Sequence, residues 1–394
     1  MTDGLLQPTN SPSQPGTPGR GDESGANDAS PDARAPDGGF GVTAVVPAET
    51  RVQPLEVREL EAGILGRWND FVARHPAGTF FHRAEWRTVL ARGFRQRGHY
   101  LYVETAGTMR GVLPLGHLRS RLFGNALIST PFCVYGGILA ADEQAHRALE
   151  RAACDLARRL EVDYLEMRNR RRLHPAWPCK DLYVTFRKAL EPAPQANLQA
   201  IPRKQRAMVR KGLQAGLRSE IESDLARFYR VYSESVRDLG TPVLPRRYFE
   251  ALREAFGEDC EVLSVYRDGS PLSSVMSFYW RDEVLPYYGG GTREARSVAG
   301  NDFMYWEVMR RAAERGLRLF DYGRSKRETG AYHFKRHWGF EPEPLFYEYH
   351  LVRARAVPDI NPLNPRYRLF IELWKRLPLR VSQWLGPPIA SGLG

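Results

Sequence analysis

The order of predicted elements repeats in the two halves of this 394-residue chain, and the repeat limits the folds open to it. In each half, helices precede a β-hairpin, a glycine-rich turn, a long helix and a further strand. The first copy covers residues 55–165 and the second covers residues 223–352. Helices that alternate with strands predict an α/β fold, and the shared order indicates a weak internal duplication.

The hairpins and the long helices give the clearest patterns. Residues 100–104 and 111–115 flank a turn at Ala106-Gly107, and residues 142–160 have apolar side chains at helical spacing. In the second half, a long helix over 302–315 is closed by Gly316. The other predicted helices are 60–73, 85–91, 225–239 and 245–256, and the other predicted strands are 164–167, 260–266, 272–280, 284–288, 317–322 and 345–352.

The first forty residues have the composition of a disordered tail. They are rich in Pro, Gly, Ser and Asp and carry almost no large apolar side chains, so they cannot bury enough surface to offset ordering. They also hold six acids against two arginines, so the rest of the chain is more basic than its net charge of +11 indicates. Such a charge favours anionic partners such as phosphates, nucleic acid, acidic lipid or acidic glycan.

A basic helix is predicted between the two halves. Pro202 suits a first helical position, and Arg203, Arg206 and Arg210 follow at spacings of three and four, with Lys204 on another face. No acid interrupts the sequence from Pro202 to Ser219. The segment is either a solvated basic helix or a site that binds phosphates.

Residues 321–340 form the most polar stretch that follows a predicted strand. They include three arginines, two lysines and two histidines, and with Glu341 and Pro342 they contain the elements Asp-Tyr-Gly-Arg-Ser-Lys, Gly-Ala-Tyr-His-Phe-Lys and Trp-Gly-Phe-Glu-Pro. A strand end, a polar loop and a short helix in this order are typical of a segment that lines a pocket. His333 and His337 are four residues apart without an evident third ligand, so no metal site is predicted.

These elements, together with the upstream Pro-Arg-Lys-Gln-Arg helix, resemble the Fem-type (FemAB-like) acyltransferases. The subgroup they resemble most is found with exopolysaccharide and PEP-CTERM protein-sorting systems and carries a BioF2-like acetyltransferase domain. The resemblance covers roughly residues 50–394. It implies two tandem GNAT-like domains with mixed, mostly antiparallel sheets.

The resemblance also implies a function. The family transfers an acyl or aminoacyl group to an amine or hydroxyl, here of a cell-envelope or exopolysaccharide precursor. The donor would be acyl-CoA or aminoacyl-tRNA, with no tightly bound cofactor, and the acceptor a glycan or peptide. The alternative is a non-catalytic GNAT-like module that binds RNA or an anionic glycan.

Candidate site residues follow from the resemblance and from acyl-transfer chemistry, which requires proton movement and stabilisation of an oxyanion. Asp321, Tyr332 and Lys335 are the catalytic candidates, and Lys335 matches the lysine of the family's Phe-Lys element. The donor- or substrate-binding candidates are Arg203, Lys204, Arg206, Arg210, Arg296, Arg324 and Ser325. Asp321 could equally pair with Arg324 or cap a turn.

The connection from 293 to 302 occupies the place of the GNAT phosphate loop. Arg296, Ala299 and Asn301 give only a degenerate match to its Arg/Gln-x-x-Gly-x-Gly/Ala pattern. In that pattern, backbone amides at a helix N-terminus bind a pyrophosphate. The departure weakens the prediction of CoA and favours another donor.

The last part of the chain mixes Trp and Leu with Arg and Lys. Pro378 should divide it into two short helices, which either pack on the second domain or lie on an anionic membrane surface. No signal peptide or membrane span is expected, and the four scattered cysteines fit a reducing compartment. We therefore expect a cytoplasmic protein with peripheral contact to the inner membrane, and tRNA as a further partner.

The expected organisation has five parts. They are a disordered tail at 1–40, an N-terminal GNAT-like domain at 41–190, a basic connecting helix at 191–222, a C-terminal GNAT-like domain at 223–356 and an amphipathic basic extension at 357–394.

Overall fold

The structure is a computed structural model that describes residues 55–120, 123–357 and 365–392. The predicted tail at 1–40 lies outside the described residues. The described residues belong to one compact unit. In the described parts, sixteen strands form two eight-stranded sheets, and twelve α-helices accompany them.

The strands are β1 Val57–Glu59, β2 Arg97–Thr105, β3 Thr108–Ser120, β4 Gly124–Ser129, β5 Leu139–Ala140, β6 Tyr164–Asn169, β7 Cys179–Lys180, β8 Tyr183–Ala189, β9 Arg218–Ile221, β10 Cys260–Arg267, β11 Ser270–Trp280, β12 Glu283–Gly291, β13 Leu319–Asp321, β14 Ser325–Lys326, β15 Pro342–Pro344 and β16 Phe346–Leu351. The helices are α1 Leu65–Arg74, α2 Trp86–Phe94, α3 Glu143–Arg159, α4 Pro194–Ala200, α5 Arg203–Gln214, α6 Ala226–Asp238, α7 Arg246–Phe256, α8 Arg293–Ser297, α9 Gly300–Glu314, α10 Gly330–His337, α11 Pro365–Trp374 and α12 Leu379–Ala390.

Both sheets are mixed and mostly antiparallel, as predicted. The first has the order β1-β2-β3-β4-β6-β16-β7, with β5 beside β3, and its parallel pair is β4 with β6. The second has the order β14-β8-β13-β12-β11-β10-β9, with β15 beside β8, and its parallel pair is β12 with β13. The predicted α/β fold class is confirmed.

The two sheets exchange a strand. β8 follows the first sheet's strands in the chain but pairs with β13, β14 and β15 of the second sheet. β16 comes last of the strands and pairs with β6 and β7 of the first sheet. Each sheet is therefore completed by a segment from the other half of the chain. The predicted boundaries at 190, 222 and 356 stay a proposal.

Local sequence signals account for the helices. The side chain of Asp142 accepts a hydrogen bond from the Ala145 amide and caps α3, and Thr329 caps α10 through the Tyr332 amide. Gly316 has a φ of 77° just after α9, where a left-handed residue ends a helix well. Pro378 separates α11 from α12, as predicted.

Aromatic packing joins the halves. Phe80 stacks on Phe278 with ring centroids 4.7 Å apart, and Trp86 packs at 5.3 Å on Phe256. A Cβ on Gly93 of α2 would lie only 2.7 Å from the Tyr248 ring of α7. These buried aromatic contacts fix the halves against each other and so hold any site that both halves build.

β12 and β13 diverge after a short pairing. They pair only at Glu283–Leu319 and Val284–Phe320, whereas β12 continues to Gly291. β13 ends at Asp321, just beyond the last paired residue. The divergence places the polar segment that follows β13 at the C-terminal end of a parallel pair.

Candidate active site

Asp321 is a buried carboxylate that links the two halves of the chain. It accepts hydrogen bonds from the Gly323 amide at 2.8 Å, from Thr185 Oγ1 at 3.3 Å and from the Tyr135 hydroxyl. Arg187 Nε lies 3.3 Å from its Oδ2. The carboxylate thus caps the turn after β13, and its cationic partner is Arg187 of the exchanged strand β8. This arrangement favours positioning over proton transfer.

Lys335 is a buried lysine whose ammonium faces the same turn. Its Nζ donates to the carbonyl oxygens of Gly323 at 2.9 Å and Arg324 at 3.0 Å. The rings of Phe186 and Tyr322 lie 5.6 and 5.4 Å from Nζ. Burial lowers the pKa of Lys335 to about 7, although the Asp321 charge opposes the shift. A lysine of this kind changes its proton content near neutral pH.

Arg324 lies where the two exchanged strands approach the turn. Its Nη1 donates to the Tyr347 hydroxyl of β16 at 2.9 Å, and its guanidinium lies 4.7 Å from the ring centre of Tyr183 on β8. Tyr347 in turn donates to the Val134 carbonyl at 2.6 Å. Arg324 is therefore a cation held by groups from both halves, next to Lys335.

Two hydroxyls beside this turn have no hydrogen-bond partner within the described residues. They are Ser325 Oγ and Tyr322 Oη, and both are buried. An unpaired buried hydroxyl is costly unless a ligand or water satisfies it. Ser325 therefore fits the predicted ligand contact.

Tyr332 is buried mainly by packing. Its ring meets Phe186 edge to face at 5.6 Å, one turn of α10 before Lys335. Its predicted role as a hydrogen-bond donor to a leaving group stays a prediction.

The basic helix α5 presents its charges to solvent. Arg203, Lys204 and Arg210 are exposed, and Arg206 is half-buried with Nη1 2.8 Å from the Gln199 carbonyl. The opposite side packs on α9, where a Cβ on Gly212 would lie 2.7 Å from Phe303.

The start of α5 touches the end of α10. Gly339, just after α10, lies so close to Pro202 that a Cβ added to the glycine would lie 3.0 Å from Pro202 Cδ. Asp302 adds a buried connection, since it accepts from Gln205 of α5 and from Trp338 Nε1, the latter at 3.1 Å. The predicted phosphate-binding helix therefore adjoins the helix that carries Lys335.

Arg296 lies elsewhere, exposed on the short helix α8. Ala295 is buried against the first turn of α9, and a Cβ on Gly300 would lie 3.1 Å from its Cβ. This close packing explains the glycine at position 300, where the phosphate loop was predicted. Gly289, Gly290 and Gly291 each leave little room for a Cβ. Their close neighbours are Tyr305, Ser235 and Asn301, respectively.

The sequence analysis missed the contribution of the first half. Tyr135, Thr185 and Arg187 all contact Asp321, and Arg187 also pairs with Glu283, whose pKa is raised by burial. The contacts with Asp321 span more than 130 residues of sequence, so no local pattern predicts them.

The loop 130–137, which carries Tyr135, has a strained backbone. Thr130 and Phe132 have φ values of 45° and 64°, a region that such residues rarely adopt. Tyr287 donates to the Phe132 carbonyl at 2.9 Å, and Arg168 to the Cys133 carbonyl, also at 2.9 Å. Backbone strain held by surrounding contacts is often found at functional sites, and the Pro-Phe-x-x-Tyr-Gly-Gly run was the available signal.

Other features lie outside this cluster. Open surface hollows beside Arg253 contain none of the candidate residues. Within the described ranges, no group of three or more His, Cys, Asp or Glu side chains is arranged to hold a metal ion. None of the helices described is both long and apolar enough to span a bilayer.

Comparison with known proteins agrees with this architecture. Residues 202–336 match the acetyltransferase (GNAT) domain family. The fold is similar to that of FemX, with a TM-score of 0.59 and 15% identity over 80% of this chain and 100% of FemX. It is also similar to a tandem GNAT protein from the clavulanic acid biosynthesis pathway, with a TM-score of 0.50 and 16% identity over 77% and 100% of the chains. No curated protein matches the sequence.

These similarities show a tandem GNAT-like fold and a GNAT-type acetyltransferase domain. The GNAT-type acetyltransferase domain over residues 202–336 supports an acyltransferase. GNAT acyltransferases take acyl-CoA as a substrate, and an acyl donor and an acceptor are expected here. The predicted fold and enzyme class are thus confirmed, whereas the donor, the acceptor and the exopolysaccharide subgroup belong to the proposal below.

Proposed function

We propose that this acyltransferase moves an acyl or aminoacyl group to an amine or hydroxyl of a cell-envelope or exopolysaccharide precursor. The observation that carries the proposal is the contact between Pro202 and Gly339. It sets a row of exposed cations on α5 beside the helix that carries Lys335. A substrate whose phosphates lie on α5 can then reach the turn at Gly323 and Arg324 with its reactive end.

Lys335 and Arg324 supply positive charge for the transition state. The acceptor nitrogen or oxygen attacks the carbonyl carbon of the donor, and the carbonyl oxygen gains negative charge. An ammonium has three N–H donors, of which Lys335 uses two on backbone carbonyls, so one remains for that oxygen. As the tetrahedral intermediate collapses, the leaving thiol or ribose hydroxyl takes the proton that the acceptor loses.

The other candidates take supporting roles in the proposal. Asp321 holds the turn through the Gly323 amide and acts as a positioning residue, since its carboxylate is already occupied by protein donors. Ser325 contacts the substrate, and Tyr332 donates to the leaving group. The protein need not supply a nucleophile, because the acceptor itself is one.

Two donors satisfy this chemistry, acyl-CoA and aminoacyl-tRNA. The approach of Pro202 to Gly339 sets α5 beside the helix that carries Lys335, which favours a donor whose phosphates lie on α5 over one bound at Arg296 and the start of α9. A nucleic acid suits a row of exposed arginines and lysines, since phosphate contacts dominate such binding. The envelope or exopolysaccharide acceptor rests on the family resemblance, and the proposed cytoplasmic location rests on the four scattered cysteines, which fit a reducing compartment.

Titration calorimetry on the full chain tests the donor site. We would titrate acetyl-CoA and uncharged tRNA into the wild type, into Arg296→Ala, and into a triple variant with Arg203→Gln, Lys204→Gln and Arg210→Gln. The proposal expects the triple variant to weaken binding by about tenfold or more and to lower its salt dependence. A matched control replaces three exposed arginines of the first half, Arg74, Arg147 and Arg158, by Gln.

The outcomes separate the possibilities. Saturable acetyl-CoA binding lost only in Arg296→Ala would place the donor at α9 and overturn the role of α5. Salt-dependent tRNA binding lost in the triple variant supports an aminoacyl donor. Binding of neither compound to the folded wild type, or an equal loss in the matched control, contradicts the proposed phosphate site.

A further inference from the structure

The two C-terminal helices are packed on the body of the protein through one side only. Trp374, Ser382 and Ala390 are buried, and a Cβ on Gly386 would lie 2.6 Å from the backbone nitrogen of Val243. Ile371 of α11 lies against Gly240. A Cβ added to that glycine would lie only 2.4 Å from the Ile371 side chain. The helices are therefore a fixed part of the fold, in agreement with the packing alternative of the sequence analysis.

The other side of these helices exposes large apolar side chains. Trp384 is 76% exposed, Leu369 is 70% exposed and Leu373 is 55% exposed, and Phe370 and Leu385 are also exposed. Ten large apolar side chains are exposed in the described residues, and these five fall within Leu369–Leu385. Such clustering differs from the scattered apolar residues of an ordinary surface. We call these five side chains the outer apolar face.

Cations accompany this face. Arg376 is exposed three residues after Leu373, and Arg380 is exposed one helical turn before Trp384. Lys375 lies 2.9 Å from Glu372, the only acid in residues 365–392. The segment is thus amphipathic and cationic, with a tryptophan among its exposed apolar groups. This combination suits the interface of an anionic bilayer, where Trp and Leu enter the headgroup region and Arg meets lipid phosphates.

A second copy of the chain fits this surface less well. In a two-fold contact, Arg376 and Arg380 of one copy would face a surface of the same sign, and like charges repel at short range. A bilayer with negative headgroups offers the complementary charge. The two helices have ten and twelve residues, too short to span a bilayer but long enough to lie on one.

We infer that the outer apolar face, with Arg376 and Arg380, binds the surface of an anionic phospholipid bilayer. The fixed packing of the inner side means that binding needs no unfolding of the helices. The acyltransferase would then work at a membrane surface, where an acceptor carried on a lipid is concentrated. The inference stands on the exposed side chains alone and does not depend on the identity of the donor.

Vesicle co-sedimentation with the full chain tests this inference. One set of vesicles is phosphatidylcholine, and the other is an equimolar mixture with phosphatidylglycerol. We expect binding to the anionic vesicles only, weakening as salt rises. Trp384→Ala should weaken it about tenfold through lost apolar insertion. Arg376→Gln with Arg380→Gln should weaken it about twenty-five-fold, since each charge contributes about fivefold.

Matched controls lie on other parts of the surface. Leu173→Ala removes an exposed apolar side chain beside Arg171 and Arg172, and Arg74→Gln with Arg147→Gln removes two exposed charges. Neither should change vesicle binding by more than about twofold. Since Trp384 is mostly exposed, Trp384→Ala should fold normally, which thermal unfolding monitored by circular dichroism verifies.

Fluorescence gives a second readout. Trp384 is the most exposed of the eight tryptophans, so anionic vesicles should shift the emission of the wild type to the blue and leave that of Trp384→Phe unchanged. The inference is overturned if the folded wild type does not bind anionic vesicles, or if the controls weaken binding as much as the test variants. It is also overturned if Trp384→Ala alters only the oligomeric state in sedimentation velocity, which would assign the face to a second copy.

Discussion

At the scale of single residues, Lys335 carries most of the proposed chemistry because burial sets its protonation. Its ammonium is enclosed by aromatic rings and backbone carbonyls, with Arg324 close by. Burial and the Arg324 charge disfavour the ammonium, and the Asp321 charge favours it, so the pKa of Lys335 falls to about 7. The neutral amine has only two N–H donors, and both are used by the carbonyls of Gly323 and Arg324.

The pH dependence of catalysis should follow this group. We expect kcat/KM to fall as pH rises through about 7, because deprotonation removes the N–H that stabilises the oxyanion. Lys335→Met should lower kcat by about a hundredfold to a thousandfold, the usual loss for one oxyanion donor, while substrate binding persists. In the Lys335→Arg variant, kcat/KM should not fall near pH 7, since an arginine stays charged. Lys180→Met, on strand β7, is the control and should keep the wild-type profile.

The same shift affects stability. The folded pKa of Lys335 lies below that of an unfolded lysine, about 10.4, so burial of the charge costs most at pH 7 and below. The cost falls as pH rises from about 7 and disappears above about 10.4. The free energies of unfolding of the wild type and Lys335→Met, measured with urea, should therefore diverge as pH is lowered from 10 to 7, and the Met variant should become the more stable protein. Parallel stability curves would show that Lys335 is not desolvated.

At the scale of elements, the exchanged strands explain why the sequence predicts part of the fold well and part of it poorly. The formation of helices such as α3 and α9 depends on residues close in sequence, so their ends and their periodicity could be predicted. Strand β8 has no such signal, because its partners in β13, β14 and β15 lie more than 130 residues ahead. The pairing of Asp321 with Tyr135 and Arg187 follows from this exchange, so the residues on one side of the site could be named and those on the other could not.

Glu348 should hold the exchanged strand β16 in place. Its carboxylate is fully buried and accepts from the His174 amide at 2.7 Å, the Leu173 amide at 3.1 Å and Asn169 Nδ2 at 2.6 Å. Burial would raise the pKa of Glu348, but the hydrogen bonds from His174, Asn169 and Leu173 outweigh it and lower the pKa.

Glu348→Gln should therefore destabilise the protein by about 1–3 kcal/mol at pH 7, since an amide loses the charge-assisted bonds. A lowered carboxyl pKa gives stability that is present above the unfolded value, about 4.3, and lost as pH falls through the folded value. The difference in unfolding free energy between the wild type and Glu348→Gln, measured with urea, should thus shrink below about pH 4. Glu343→Gln, at a half-exposed ion pair with Arg170, should change stability by less than about 0.5 kcal/mol.

At the scale of the whole molecule, the site depends on contact between the halves. Tyr135 belongs to the strained loop of the first half, and Asp321 ends the strand of the second half. Asp321 fixes the Gly323 amide, and the Gly323 carbonyl in turn holds Lys335. A chain of direct contacts therefore runs from the first half to the proposed reaction centre in the second half.

A double-mutant cycle on Tyr135→Phe and Asp321→Asn tests this dependence. Because the hydroxyl donates directly to the carboxylate, the unfolding free energies should show a coupling of about 1–3 kcal/mol. Each single variant should also lower kcat by about tenfold at a temperature where it is fully folded, because the turn that holds Lys335 loses its anchor. The control cycle is Tyr279→Phe with Glu261→Gln, a bond of 3.0 Å within the second half, which should affect stability but leave kcat unchanged. If the folded variants Tyr135→Phe and Asp321→Asn kept full kcat, the contact between the halves would serve stability alone, and the proposed path to Lys335 would be wrong.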